Sequence, residues 1–268
     1  MISFISAKGG TGKTTSSLNF AVSMAEKGKK TIIIDTDPMG CIGFSLAQND
    51  RQWQGLVERL IKKTPLKEVI VKTKLENLSI LPRGRMSSSD VSAYERLLFS
   101  SDGLEEVLTE LEKDYECIII DTPSGMGMIT TSVLAVSNFA VLVLQAEPLS
   151  LRTAAQTLSV VENTVKNRNN NLILLGILVT MVDTQNPVSK SVFSTISNSL
   201  PGIFETWIPR STAFIEASEK GVPVSFLTGR RTTEMMRFSF LAEEIESRIS
   251  DITGETGGQD EFPQRTLL

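Results

Sequence analysis

Near the N-terminus, Ser6-Ala7-Lys8-Gly9-Gly10-Thr11-Gly12-Lys13-Thr14-Thr15 follows directly on the apolar run Ile2-Ser3-Phe4-Ile5. The glycines allow a tight turn that points successive backbone N–H groups inward, an arrangement suited to an anion. Lys13 is spaced to reach the β- and γ-phosphates of a nucleotide, and the Thr14 hydroxyl to ligate Mg²⁺. An amphipathic stretch from Thr14 to Lys27 predicts a helix whose positive end faces the same anion. The pattern G-x-x-x-x-G-K-[ST] asks for glycine where Ala7 stands, so it is met from Gly12 onward, and Lys8 is an additional lysine inside the turn. The bland alternative is a Gly/Thr-rich turn carrying two solvated lysines. The strand before it and the helix after it weigh against that alternative.

Short β-branched runs recur with helical patterns between them: Ile2–Ser6, Thr31–Asp35, Leu78–Leu81, Cys117–Asp121, Phe139–Gln145, Leu172–Val182 and Glu205–Ile208. Thr31-Ile32-Ile33-Ile34 and Cys117-Ile118-Ile119-Ile120 are apolar without alternation, as expected of strands buried on both faces. The order predicts an α/β fold, a mostly parallel twisted sheet flanked by helices on both faces, and the glycine turn with its lysine and threonine makes it one of the P-loop NTPase kind. Gly28 followed by Lys29-Lys30 reads as a helix stop before the second strand. Between Asp50 and Ser101, two helical patterns surround Leu78–Leu81, and the polar run Ser87-Ser88-Ser89-Asp90 reads as a loop within the fold. We expect a single domain over residues 1–250 and a disordered acidic, Gly-rich tail over 251–268.

The chain contains no histidine, which removes Ser-His-Asp and Cys-His catalysis and the commonest zinc ligand together. Carboxylates, lysines, hydroxyls, water and Mg²⁺ are left to carry any chemistry. Cys41 and Cys117 are far apart and form no C-x-x-C pair, so they read as incidental thiols. No apolar run approaches membrane-spanning length, and the start of the chain has no signal-like segment; we expect a cytoplasmic protein. A net charge of -4 does not favour nucleic acid, so DNA binding has to be argued from local basic residues.

Two acidic motifs complete the constellation. Asp35-Thr36-Asp37-Pro38-Met39-Gly40 ends the second run, and Asp121-Thr122-Pro123 ends the run Cys117–Asp121. Ligands of open parallel sheets sit at the carboxyl ends of the strands, so both motifs should face the glycine turn. Ser124-Gly125-Met126-Gly127 beyond them has the glycine content of a switch loop, or equally of an ordinary turn.

The segment K-G-G-T-G-K-T-T resembles the deviant Walker A box of the ParA/MinD family of P-loop ATPases, and Asp35–Gly40 resembles that family's D-x-D-P-Q-G box with Met39 in place of glutamine. The resemblance extends through Gly176–Asp183, Ile208-Pro209-Arg210, Glu216-Ala217 and Gly221–Val224, and covers about residues 1–250. It implies ATP and Mg²⁺ as cofactors. It implies that Lys8, Gly9, Gly10, Thr11, Gly12, Lys13, Thr14 and Thr15 bind phosphate, and that Lys8 reaches across an ATP-bound homodimer. Asp37 would position the attacking water, with Lys8, Lys13 and Asp37 the catalytic set. Thr14 and Asp121 would hold the Mg²⁺ shell; Asp35 would join it through water or serve the loop structurally. Met181 and Pro209 would lie against the adenine.

Among the branches of that family, the partition branch fits best. Residues 255–268 lack the basic, apolar alternation of a membrane-binding helix, so membrane attachment is not expected. The cysteines do not suit an iron–sulfur carrier, and no tyrosine-rich tail is present. The ParA resemblance implies a weak, partner-stimulated ATP hydrolase that binds non-specific DNA as a dimer, associates with the nucleoid, and partitions a plasmid, chromosome or protein cargo with a ParB-like adaptor. Arg210, Arg230, Arg231 and Arg237 are the candidate DNA contacts, with Lys190 a further one. They read equally as solvated helix residues or ion-pair partners beside Glu234, Glu243, Glu244 and Glu246. The alternative is a MinD-like positioning protein working through a partner or membrane surface without DNA; a small-molecule P-loop kinase is a third.

Overall fold

A computed structural model describes residues 1–46, 53–87, 89–227 and 231–254. Seven strands form one sheet: β1 (Ile2–Ile5), β2 (Thr31–Asp35), β3 (Val71–Lys72), β4 (Leu78–Leu81), β5 (Cys117–Asp121), β6 (Phe139–Gln145) and β7 (Ile173–Thr180). Their spatial order is β3-β4-β2-β5-β1-β6-β7, parallel throughout except for β3, which pairs antiparallel with β4 at the edge.

The unbroken isoleucine runs are explained by how the sheet is covered. Ile33 and Ile119 point into a core shared with α1 (Lys13–Glu26) and α11 (Thr233–Thr253). Their neighbours Ile32, Ile34, Ile118 and Ile120 point into the opposite core, beneath α3 (Leu56–Lys62), α5 (Val91–Phe99), α6 (Ser101–Leu111) and α7 (Met128–Val136). Successive strand residues face opposite sides, so only a strand covered on both faces can be apolar at every position. On that second side, α8 (Ser150–Asn167) extends the cover over β6 and β7.

Register positions the chemistry. Ile34 lies opposite Ile120 and Asp35 opposite Asp121, while Phe4, one residue before the end of β1, also pairs with Asp121. The glycine turn leaving β1 therefore emerges beside two strand-end carboxylates.

Several features depart from the sequence expectations. Glu205–Ile208 forms no strand. It runs beside the end of β7 through Ile208 N–H to Val179 O and Arg210 N–H to Val182 O, with only isolated bridges, and Pro209 offers no N–H to extend a ladder. The edge strand β3 is too short to leave a periodicity, and α2 (Cys41–Leu46) begins directly after the Asp35–Gly40 motif. The first helix starts at Lys13 rather than Thr14. At the other end, α11 continues to Thr253 and stops at Gly254 in a left-handed cap, beyond the expected boundary at 250; the rest of the expected tail, 255–268, lies outside the described residues. Ser88 of the serine run also lies outside them.

One half-buried cation locks the C-terminal half. The Arg248 guanidinium of α11 donates to the carbonyls of Leu175 (2.8 Å), Gly202 (3.0 Å) and Ile203 (2.9 Å), pairs with Glu244, and lies over the Phe204 ring. It approaches so closely that a Cβ on Gly176 would sit 2.4 Å from Nη1 and 2.6 Å from Gly202 O, so this strand position requires glycine. Arg248→Ala should lower the unfolding free energy by about 2–4 kcal/mol, since it removes donors from three carbonyls and from the Glu244 carboxylate together with the packing on Phe204. Lys166→Ala, which breaks the exposed Lys166–Glu162 pair, should cost under about 0.5 kcal/mol. Urea unfolding of both variants checks the contrast.

Candidate active site

The turn between β1 and α1 is held from several sides. The Ser6 hydroxyl donates to the Lys8 carbonyl (3.0 Å) and accepts from the Thr11 hydroxyl (3.0 Å). Gly10 and Gly12 have φ values of 76° and 79°, a region open to glycine and strained for other residues. Gly12 caps α1 without a side chain, and no acidic residue occupies the first turn. The amino end of that helix is thus left facing the turn with its positive dipole uncompensated. From the end of β7, the Thr180 hydroxyl donates to Thr11 O at 2.6 Å, tying the turn to a strand two places away in the sheet.

Beneath the turn, Lys13, Thr14 and Ser17 converge on Asp121. Lys13 Nζ lies 3.0 Å from Oδ1, Ser17 Oγ 3.0 Å from the same oxygen, and Thr14 Oγ1 2.8 Å from Oδ2. Asp121 is fully buried and Lys13 is only 5% exposed. Ser17, one helical turn beyond Lys13, was not singled out from the sequence; its spacing of four from Lys13 is the signal that places both on one face.

Asp35 is fully buried, and both its oxygens are engaged by backbone: Oδ1 accepts from Asp37 N–H (3.1 Å) and Oδ2 from Ile42 N–H (2.9 Å). Of the two roles expected for Asp35, this is the structural one: it shapes the loop that carries Asp37. Burial, reinforced by the neighbouring Asp121, raises its pKa from 3.8 to about 8, against the pull of those two N–H groups. Asp37 Oδ1 accepts from Met39 N–H at 2.8 Å, and the Cys41 thiol approaches Oδ2 at 3.6 Å. Burial, then the Asp37 charge, pushes that thiol up to about 12, so Cys41 stays protonated and unreactive.

Lys8 lies at the mouth, 41% exposed, in an ion pair with Glu147 from the loop between β6 and α8. Sequence reading missed Glu147, which is 139 residues away along the chain. Met39 (68% exposed) and Leu149 (57% exposed), on loops, and Met128, the first residue of α7, stand at this same end of the sheet. Met181 has φ 55°, unusual for a residue with a side chain, and its methyl lies 3.7 Å from the position a Gly12 Cβ would take. The bridge between Val182 and Pro209 brings Pro209 alongside.

The candidate DNA contacts are less uniform. Arg210, Arg231 and Lys190 are exposed, whereas the Arg237 guanidinium lies 4.1 Å from the ring centre of Trp207, which in turn packs on Phe193. Arg230 lies outside the described residues. Among those residues, no helix is long and apolar enough to cross a membrane.

The donor set fits a phosphate-bound hard cation. Among the described residues, no group of three or more Cys, Asp or Glu side chains could cage a metal without other ligands. One hydroxyl and one carboxylate, Thr14 and Asp121, meet at the phosphate turn, which suits Mg²⁺, an ion that takes few protein ligands and fills its shell with water and phosphate oxygens.

A family model described as an AAA domain matches residues 1–174. The chain is 32% identical over 256 residues to the chromosome-partitioning ATPase Soj of Treponema pallidum, covering 91% of this chain and 96% of Soj. It is 29% identical over 223 residues to the chromosome partitioning protein ParA of Myxococcus xanthus, covering 81% and 77% respectively. Among solved structures, the cell division ATPase MinD of Pyrococcus furiosus superposes with a TM-score of 0.75 at 24% identity, over 92% of this chain and 98% of that one. Cobyrinic acid a,c-diamide synthase from Mycobacterium smegmatis, crystallised with ADP and magnesium, superposes with a TM-score of 0.76 at 22% identity, over 98% of both chains. The chain belongs to the ParA/MinD family of P-loop ATPases, on its ParA/Soj branch.

The elevated Asp35 value has a consequence for stability. The folded state retains a proton that the unfolded chain releases above pH 3.8, so its stabilising contribution is complete below that pH and is lost as pH rises through about 8. Asp35→Asn should therefore flatten the fall in stability between these limits, measured by urea unfolding of nucleotide-free protein in EDTA.

Proposed function

We propose that this chain is a Mg²⁺-dependent ATPase that works as a dimerising switch of the partition type. The observation that carries the reading is the pair of lysines in one phosphate turn, with different surroundings. Lys13 is buried on Asp121, while Lys8 stands half-exposed at the mouth, held by a partly exposed carboxylate. A lysine serving its own nucleotide belongs inside, as Lys13 is. One at the rim is placed to meet the phosphates of a second copy docked over the mouth, where the apolar side chains of Met39, Met128 and Leu149 are also exposed.

In this reading, the turn's N–H groups, Lys13 and the amino end of α1 bind the phosphates, and Thr14 and Asp121 hold Mg²⁺, which supplies charge neutralisation. Asp37 orients the attacking water, and the partner's Lys8 completes the positive cradle only in the dimer. Met181 and Pro209 flank the adenine. Phosphoryl transfer depends on positioning and electrostatics, so an incompletely assembled site turns over slowly until a partner completes it. A timed switch needs that behaviour. The names of the relatives support chromosome or plasmid partitioning, with a ParB-like adaptor as the activating partner and the nucleoid as the place of action.

Lys8→Ala should retain ATP binding and lose ATP-dependent dimerisation, whereas Glu147→Gln, which frees Lys8 in its own subunit, should shift dimerisation to lower protein concentration. Analytical ultracentrifugation with ATP and with ADP reads both. Loss of ATP binding in Lys8→Ala would contradict the assignment.

Non-specific duplex DNA should bind with ATP and not with ADP, weaken steeply with salt, and fail to bind an Arg230→Ala/Arg231→Ala variant. ATP-dependent dimers that ignore DNA in every state would instead favour a MinD-like positioning protein acting through a partner surface.

A further inference from the structure

The loop that carries Asp37 is held on its inner side by Asp35 and by backbone. Thr36 N–H and its hydroxyl both donate to Asp121 O, and the buried Tyr94 hydroxyl donates to Thr36 O at 3.1 Å. The outer side of the loop rests on a residue that none of the motifs includes. Arg83 Nη1 donates to the Pro38 carbonyl at 2.6 Å. Its guanidinium plane lies against Gly40, where a Cβ would meet Nε at 3.0 Å and both Cζ and Nη2 at 3.3 Å. Gly40 has φ 71°, so glycine is required there for its backbone conformation as well as for this approach.

The setting of Arg83 is costly. Its Nε is buried without a hydrogen-bond partner, and among the described residues no carboxylate lies within ion-pair distance. Its backbone is also fixed. Arg83 O accepts from Val57 N–H and Pro82 O from Leu56 N–H, each at 2.8 Å, so the start of α3 clamps the segment leaving β4. Leu81 is in register with Ile34, and extending that register puts Arg83 beside Thr36. A rigid strand extension thus carries a cation, unpaired by any of those carboxylates, onto the back of the loop that carries Asp37.

We infer that Arg83 is a positioning residue for ATP hydrolysis, acting through the Pro38 carbonyl and the Gly40 backbone to hold Asp37 at its working position. The inference rests on the proposed ATPase function and on Asp37 as the residue that orients water. Arg83 itself lies behind the loop and touches neither the phosphate turn nor the carboxylate of Asp37. Its removal should therefore affect the hydrolytic step while leaving nucleotide binding intact.

Single-turnover ATP hydrolysis, fluorescent ATP-analogue binding and thermal unfolding are measured for wild type, Arg83→Ala, Arg83→Lys, Asp37→Ala and Arg83→Ala/Asp37→Ala. Arg83→Ala should slow hydrolysis about 10–100-fold, the scale of a loop misplaced by about an ångström, with nucleotide affinity changed by less than about 3-fold. Arg83→Lys should recover part of the rate, because an ammonium can donate to Pro38 O but cannot lie flat on Gly40. Adding Arg83→Ala to Asp37→Ala should slow hydrolysis no further, since both act on one step. Wild-type hydrolysis in Arg83→Ala, or an equal further loss in the Asp37→Ala background, would overturn the positioning role. Should Arg83→Ala fail to fold, Arg83→Lys carries the same comparison. Full hydrolysis in Asp37→Ala would instead remove the functional reading of the loop, an outcome distinct from failure of Arg83 alone.

Discussion

Lys13 Nζ and Asp121 Oδ1 lie 3.0 Å apart with almost no exposure, at the point where β1, β5 and α1 meet. Burying two opposite charges is expensive, and a pair of this kind is tolerated only when its remaining bonding capacity is satisfied. Here Thr14 and Ser17 complete the carboxylate, so a single strand-end oxygen pair organises the first helix, its lysine and the hydroxyl suited to a metal. Asp121 also touches the neighbouring motif. Its backbone carbonyl takes both donors of Thr36, and its charge helps lift Asp35. Lys13 at the end of the glycine turn, the Thr14 hydroxyl and the loop that carries Asp37 are therefore mechanically joined through one residue.

The rim of this site is built differently from its floor. The floor is buried and hydrogen-bonded around Asp121. At the rim, Lys8 pairs with a carboxylate that is itself exposed to solvent, Met39 projects outward, and the Asp37 loop is braced from behind by Arg83. Exposed ion pairs of the Lys8–Glu147 kind are worth little and exchange readily. A site with a rigid floor and an exchangeable rim is suited to bind a nucleotide in one subunit and be completed by another. In the proposed dimer, slow turnover in a single subunit would follow from the way the site is divided.

Much of this was legible in the sequence, for a physical reason. The glycine turn, Lys13, Thr14 and the two strand-end aspartates act through local backbone geometry and strand register, which leave a pattern in adjacent residues. The isoleucine runs of β2 and β5 announced a sheet covered on both faces. What stayed hidden depends on distant partners: Glu147 beside Lys8, Arg83 behind Pro38, and Arg248 beneath Gly176 are ordinary charged residues until the fold places them. Glu205–Ile208 misled because its composition suits a strand, while Pro209 withholds the N–H needed to extend one. The contact of Trp207 with Arg237 is likewise visible only in the fold.

The central claim is that each active site is shared between two subunits, with Lys8 working on the partner's nucleotide. Mixing Lys8→Ala with Asp37→Ala chains, each strongly slowed alone, tests it most directly. In a mixed dimer the Lys8→Ala subunit keeps its own Asp37 and receives Lys8 from its partner, so one of the two sites is whole. A mixture of equal amounts should then regain ATP hydrolysis, up to about half of the wild-type rate per chain, because each mixed dimer holds one whole site of its two. A mixture as slow as its components, with mixed dimers shown to form, would contradict the account and place Lys8 in the site of its own subunit.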